Sequence, residues 1–92
     1  MKRKHTPYVD VRHRQIRKDG FVYTYTLLAT EEVCPIYSIR IDLLCPDREK
    51  TTLTLAQPIY DGGRAAVLFD LLSEHLVTPI DLPYVMEDLL DL

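Results

Sequence analysis

The chain is predicted to be an α+β domain: a four-stranded antiparallel β-meander followed by two C-terminal helices packed on one face, in the order ββββαα. Three observations predict it. Between Tyr8 and Gln57, apolar residues recur at every second position within short runs bounded by turn residues. The connections between these runs are short, which makes successive strands antiparallel neighbours. After Asp61-Gly62-Gly63, the apolar spacing changes from two to that of a helix.

The first strand is expected over Tyr8–Arg17, where Val9, Val11 and Ile16 give an irregular alternation. Lys18-Asp19-Gly20 is a hairpin turn signal. Phe21–Ala29 (FVYTYTLLA) is β-branched and aromatic with period two, the strongest strand signal in the chain. A charged connection over Thr30–Pro35 leads to a third strand, Ile36–Leu44, in which Tyr37, Ile39, Ile41 and Leu43 share one side. Cys45–Lys50 is a turn, and a fourth strand over Thr51–Gln57 ends at Pro58. A helix is expected over Arg64–His75, with Ala65, Leu68, Phe69, Leu72 and Leu76 forming its apolar stripe. A second helix is expected from an Asp81 N-cap to about Leu90, with Leu82, Val85, Met86 and Leu89 facing inward. Residues 1–7 are expected to be a flexible basic arm and residues 8–92 a single α+β domain.

Side-chain parity assigns the two sheet faces. The covered face takes Phe21, Tyr23, Tyr25, Leu27, Tyr37, Ile39, Ile41, Leu43, Leu53 and Leu55; the open face takes Val22, Thr24, Thr26, Ser38, Arg40, Asp42, Thr52 and Thr54. A two-residue Asp19-Gly20 turn would put Arg12 and Arg14 beneath the helices, where unpartnered guanidinium groups are costly. A three-residue Lys18-Asp19-Gly20 loop shifts the register by one. It is preferred here, with Val9, Val11 and His13 inward and Arg12, Arg14 and Ile16 outward.

Composition narrows the function classes. Of 92 residues, 47% are hydrophobic, which allows a packed core, yet no apolar run is long enough to span a membrane. The charged start has no apolar stretch behind it, unlike a signal peptide, so the cytoplasm is the expected location. Cys34 and Cys45 flank one expected strand and are held about 35 Å apart by it, beyond disulfide reach, which suits a reducing compartment. The net charge of −3 hides an asymmetry: residues 1–18 carry seven basic groups against Asp10, a balance of +6, and the remainder carries −9.

No catalytic, cofactor or metal site is expected. His5, His13 and His75 are scattered, and neither cysteine has a second ligand at metal-binding spacing. Ser73-Glu74-His75 are helical neighbours that point in different directions, so they make no triad. Asp61-Gly62-Gly63-Arg64 lacks the lysine of a phosphate-binding loop and reads as a turn with a helix cap. The candidate partner-binding residues fall into three groups. Arg12, Arg14 and Arg40 cross the open face, a pattern that suits an acidic protein or phosphates and equally a solvated sheet. Val67 and Leu71 lie off the core stripe of the first helix, where they meet the last helix or pair two copies as a homodimer. Glu87, Asp88 and Asp91 make the last helix acidic, which repels DNA and favours a basic protein partner.

The segment Val77-Thr78-Pro79-Ile80-Asp81-Leu82, followed by Val85-Met86-Glu87-Asp88-Leu89-Leu90, resembles a family of small uncharacterised proteins from Gram-positive anaerobic bacteria, a domain of unknown function. Asp19-Gly20 and the strand bearing Tyr23 and Tyr25 extend the resemblance, which covers about 70 residues. It implies a small bacterial intracellular protein and no particular activity.

The expected function is a non-enzymatic protein-interaction module, bacterial or encoded by a mobile element or phage, with no cofactor. One alternative is a nucleic-acid-binding protein using Lys2, Arg3, Lys4 and the sheet arginines. Another is a small phage-encoded inhibitor whose acidic half mimics nucleic acid.

Overall fold

The computed structural model describes residues 8–55 and 58–85. Four strands, β1 (Tyr8–Lys18), β2 (Phe21–Thr30), β3 (Tyr37–Leu44) and β4 (Lys50–Thr54), precede one long helix, α1 (Gly62–Glu74). The sheet is antiparallel throughout in the order β1-β2-β3-β4. This is the expected meander, with strand bounds within one residue of expectation at most ends. The fourth strand differs. Its regular pairing stops at Thr54, but Ile59 pairs with Tyr37 through two backbone bonds of 2.7 and 3.0 Å, so β-pairing resumes beyond Pro58.

Helix α1 packs chiefly on β2 and β3. Its stripe of Ala65, Leu68, Phe69 and Leu72 closes over Tyr25, Leu27, Ile39 and Ile41, with Ile59, Val77 and Leu82 completing the core. The apolar parity of β2 and β3 was therefore legible from period two. Asp61 caps the helix through Oδ1, which accepts from the N–H groups of Gly63 and Arg64 at 2.8 and 3.2 Å. At the other end Leu76 adopts φ 52°, and the Leu76 and Val77 N–H groups bond to the Ser73 and Leu72 carbonyls. That reversal is a Schellman motif with a leucine where glycine is usual. It returns the chain so that Val77 re-enters the core.

The second helical segment begins at Leu82, directly after Asp81 as expected, and a hydrogen-bonded turn from Thr78 leads into it. The Thr78 hydroxyl accepts from the Asp81 N–H at 3.2 Å, and the Thr78 carbonyl accepts from Leu82 at 3.0 Å. Thr78 thus caps the lead-in turn and Pro79 opens it, a placement that suits its missing N–H. Residues 82–85 are helical, Leu82 is buried and Val85 packs against the core. Met86, Leu89 and the expected end near Leu90 lie outside the described residues.

The β1–β2 hairpin overturns the preferred register. Lys18 pairs with Phe21, and Asp19 and Gly20 form a two-residue turn with φ of 54° and 83°. Both signs are those of a type I′ turn, whose twist matches that of the flanking strands and for which Asp-Gly is a favoured sequence. Arg14 consequently pairs with Tyr25 and Arg12 with Leu27, on the side of the sheet that carries α1. Ile16, expected outward, joins the core margin, and His13, expected inward, pairs with Thr26 on the far face. A bulge between Asp10 and Arg12 resets the parity, leaving Val9 opposite Ala29 and Val11 half exposed within the irregularity.

Candidate functional site

Arg12 and Arg14 stand on the helix side without being buried, because α1 covers β2 and β3 and leaves β1 as an exposed edge. Their guanidinium groups lean inward to the flank of α1. Arg12 lies 5.2 Å from the centroid of the Phe69 ring, and its Nη2 is 3.6 Å from Asp70 Oδ1. Both ends of that ion pair are about half exposed, so the ring contact and the aliphatic stem contribute as much as the charge pair. Arg14 Nη1 donates to Ser73 Oγ at 2.7 Å, and Ser73 Oγ donates in turn to the Asp70 carbonyl at 3.2 Å. The desolvation cost that argued against this register therefore does not arise: the stems lie on the sheet margin and the heads are partnered and wet.

The arginines expected on one surface are split between two. Arg40 lies on the far face, where its Nε is 3.3 Å from Asp42 Oδ2, and Thr52 donates to Asp42 Oδ1 at 2.6 Å. Arg40 is therefore committed to an intrasheet network and does not act with Arg12 and Arg14. The far face is also less open than expected. Thr26 and Ser38 are buried in the two central strands, as are Leu28 and Thr30. Ser38 donates to the Leu55 carbonyl at 3.1 Å, whereas Thr26 Oγ1 has no hydrogen-bond partner among the described residues.

The remaining candidates are dispersed. Val67 is 57% exposed on the outer side of α1, and Leu71 is half-buried. Glu87, Asp88 and Asp91 lie outside the described residues, as do Lys2, Arg3 and Lys4. Cys34 is exposed and Cys45 half-buried, and both are free. Among the described residues no group of three or more His, Cys, Asp or Glu could hold a metal ion. No helix among them is long and apolar enough to cross a membrane.

The surface with a consistent character is β1 itself. Ten of its eleven residues are exposed, and it bears Arg12, Arg14, Arg17 and Lys18 against Asp10. Arg12 alone of these four has a carboxylate within ion-pair distance among the described residues; Arg17 reaches only the Gln15 side chain at 3.5 Å. Phe69, Asp70 and Ser73 were not anticipated as partners of the arginines. Ser73 carried the available signal: a small polar residue beside Leu72 in the buried stripe of α1 needs a partner.

No family model, curated protein or solved structure matches this chain.

Proposed function

We propose that this protein is a non-enzymatic interaction module that holds an acidic protein partner against the β1 side of the sheet. The observation that carries this reading is the long edge strand β1, exposed along nearly its whole length and cationic, with Arg14, Arg17 and Lys18 unneutralised by any described carboxylate. Protein edge strands are usually short, covered, bulged or charged, and β1 has a bulge and charge without being short or covered by a described element. A long one whose cationic groups outnumber its carboxylate is suited to steering and registering a partner of opposite sign. The cytoplasm as its location and a bacterial, mobile-element or phage origin belong to the same proposal; they rest on the two free cysteines and on the resemblance carried by residues 77–90.

A nucleic acid is the less favoured partner. The arginines do not form one stripe, and Tyr23, Tyr25 and Tyr37 pack in or against the core instead of offering stacking platforms.

The test is fluorescence anisotropy with a labelled peptide of alternating glutamate and valine, beside labelled single-stranded and duplex DNA, at ~50 mM and ~200 mM salt. The expected result is salt-sensitive binding of the peptide that Arg17→Glu with Lys18→Glu abolishes while the thermal melt is unchanged. Tighter binding of DNA than of the peptide transfers the reading to nucleic acid. No binding of the peptide at the lower salt removes it.

A further inference from the structure

The outer edge of β1 presents backbone groups that nothing pairs with among the described residues. Lys18 and Phe21 close the two-residue turn, so they form a hydrogen-bonded pair, and hydrogen-bonded and open pairs alternate from there along the ladder. Lys18, Ile16, Arg14 and Arg12 consequently direct N–H and C=O toward β2. Arg17, Gln15 and His13 direct theirs away from the sheet, and among the described residues nothing pairs with them. We propose that the outer edge of β1 over His13–Arg17 takes up an extended acidic peptide segment as a fifth, antiparallel strand. This inference rests on the acidic-partner reading above and adds the mode of capture.

Three features define the guest. The edge alternates donors and acceptors, which a peptide backbone complements; a phosphate chain, having acceptors only, would leave the carbonyls of β1 facing like partial charges. Arg17 on the far face and Lys18 on the helix face have no carboxylate partner among the described residues, so acidic guest residues on both sides are favoured. Ile16, half-buried at the margin of the core, lies between Arg14 and Lys18 on the helix face, in register with an apolar guest residue that would complete its burial. The bulge at Asp10–Arg12 bends the strand and sets the N-terminal limit of the pairing segment.

A second copy of the chain fits this edge poorly. Antiparallel pairing of two β1 strands about Gln15, the only symmetric register that uses all three outward-facing residues, sets Lys18 opposite Arg12 on either side of the two-fold axis. Like charges directly across a ladder are destabilising. The same charges that exclude self-pairing attract an acidic strand.

The test uses a glutamate-rich peptide with glutamates on both faces of the extended chain and a valine at the position facing Ile16, and an otherwise identical peptide that is N-methylated at alternate residues, which keeps charge and side chains but removes one row of backbone donors. Binding is measured on the wild-type chain and on Gln15→Pro, which deletes an outward N–H without touching the bonds to β2, with Gln15→Ala as the control. The expected result is about tenfold weaker binding for the N-methylated peptide and for Gln15→Pro, with Gln15→Ala unchanged. Equal affinity of the two peptides overturns strand addition and leaves the acidic-partner reading standing. Failure of both to bind removes both. If Gln15→Pro lowers the thermal melt, the N-methylated peptide on the wild-type chain decides alone. A dimer that Gln15→Pro dissociates shows a second copy on the edge and overturns the proposal.

Discussion

The phenol of Tyr25 donates a 3.0 Å hydrogen bond to the carbonyl oxygen of Val77, tying the middle of β2 to the chain that leaves α1. Tyr25 is fully buried, and Val77 is the residue that the left-handed Leu76 returns to the core. Tyr25→Phe keeps the ring and strands the buried carbonyl. We expect a loss of about 1–2 kcal/mol in denaturant unfolding with an unchanged m-value. A loss below ~0.3 kcal/mol would show that water replaces the phenol.

Burial, reinforced by the neighbouring Tyr23, pushes the Tyr25 phenol well above its ordinary range. The folded state therefore holds this proton more tightly than the unfolded chain does. Its contribution is fully present below the unfolded value of about pH 10 and declines as pH rises toward the folded one. Of six tyrosines, Tyr25 should ionise last, together with alkaline unfolding. Absorbance of the phenolate against pH, compared with Tyr25→Phe, checks this; a wild-type titration with no late step contradicts it.

Thr26 Oγ1 is buried with no partner among the described residues, between His13 and Arg40 in the register. A lone buried hydroxyl opposes folding, and valine has nearly the same shape and a higher preference for strands. Thr26→Val should raise stability by about 1 kcal/mol in chemical unfolding. Destabilisation would reveal a partner for the hydroxyl.

The contact between Arg14 and Ser73 links residues 59 apart in sequence. A double-mutant cycle of Arg14→Met and Ser73→Ala should give a coupling of about 1 kcal/mol, a charge-assisted bond reduced by the exposure of the arginine. Additive single effects would mean that the bond is not maintained in solution.

Gly20 has φ 83°, and a Cβ there would meet Pro46 Cγ at 3.1 Å. Gly20→Ala should cost about 1–2 kcal/mol, because it adds left-handed strain to a tight contact between the two hairpin turns. A smaller effect in thermal melts would indicate that Pro46 yields.

Several features could be read from local chemistry. The period-two runs of β2 and β3 define their buried side, since one pleat position in two must leave water. The helical spacing of Ala65, Leu68, Phe69 and Leu72 identifies the packing face of α1 for the same reason. The cap at Asp61 needed only an acceptor side chain two residues before an orphan N–H. The start of the second helical segment after Asp81 was legible too, whereas the lead-in turn that Thr78 caps shows only in the hydrogen bonds.

The orientation of β1 was not legible in this way, because one residue in the turn or in a bulge exchanges the two faces of a strand. Choosing between a two- and a three-residue turn required the environment of Arg12 and Arg14, which depends on how far α1 extends over the sheet. The meander, the core of β2 and β3 and the amphipathic helix follow from side-chain period and need no distant contact to be read. Tertiary structure alone decided that β1 is an uncovered edge, that its arginines divide from Arg40, and that Phe69, Asp70 and Ser73 receive them. Those outcomes rest on contacts between residues about 60 positions apart, and no local pattern encodes such a distance.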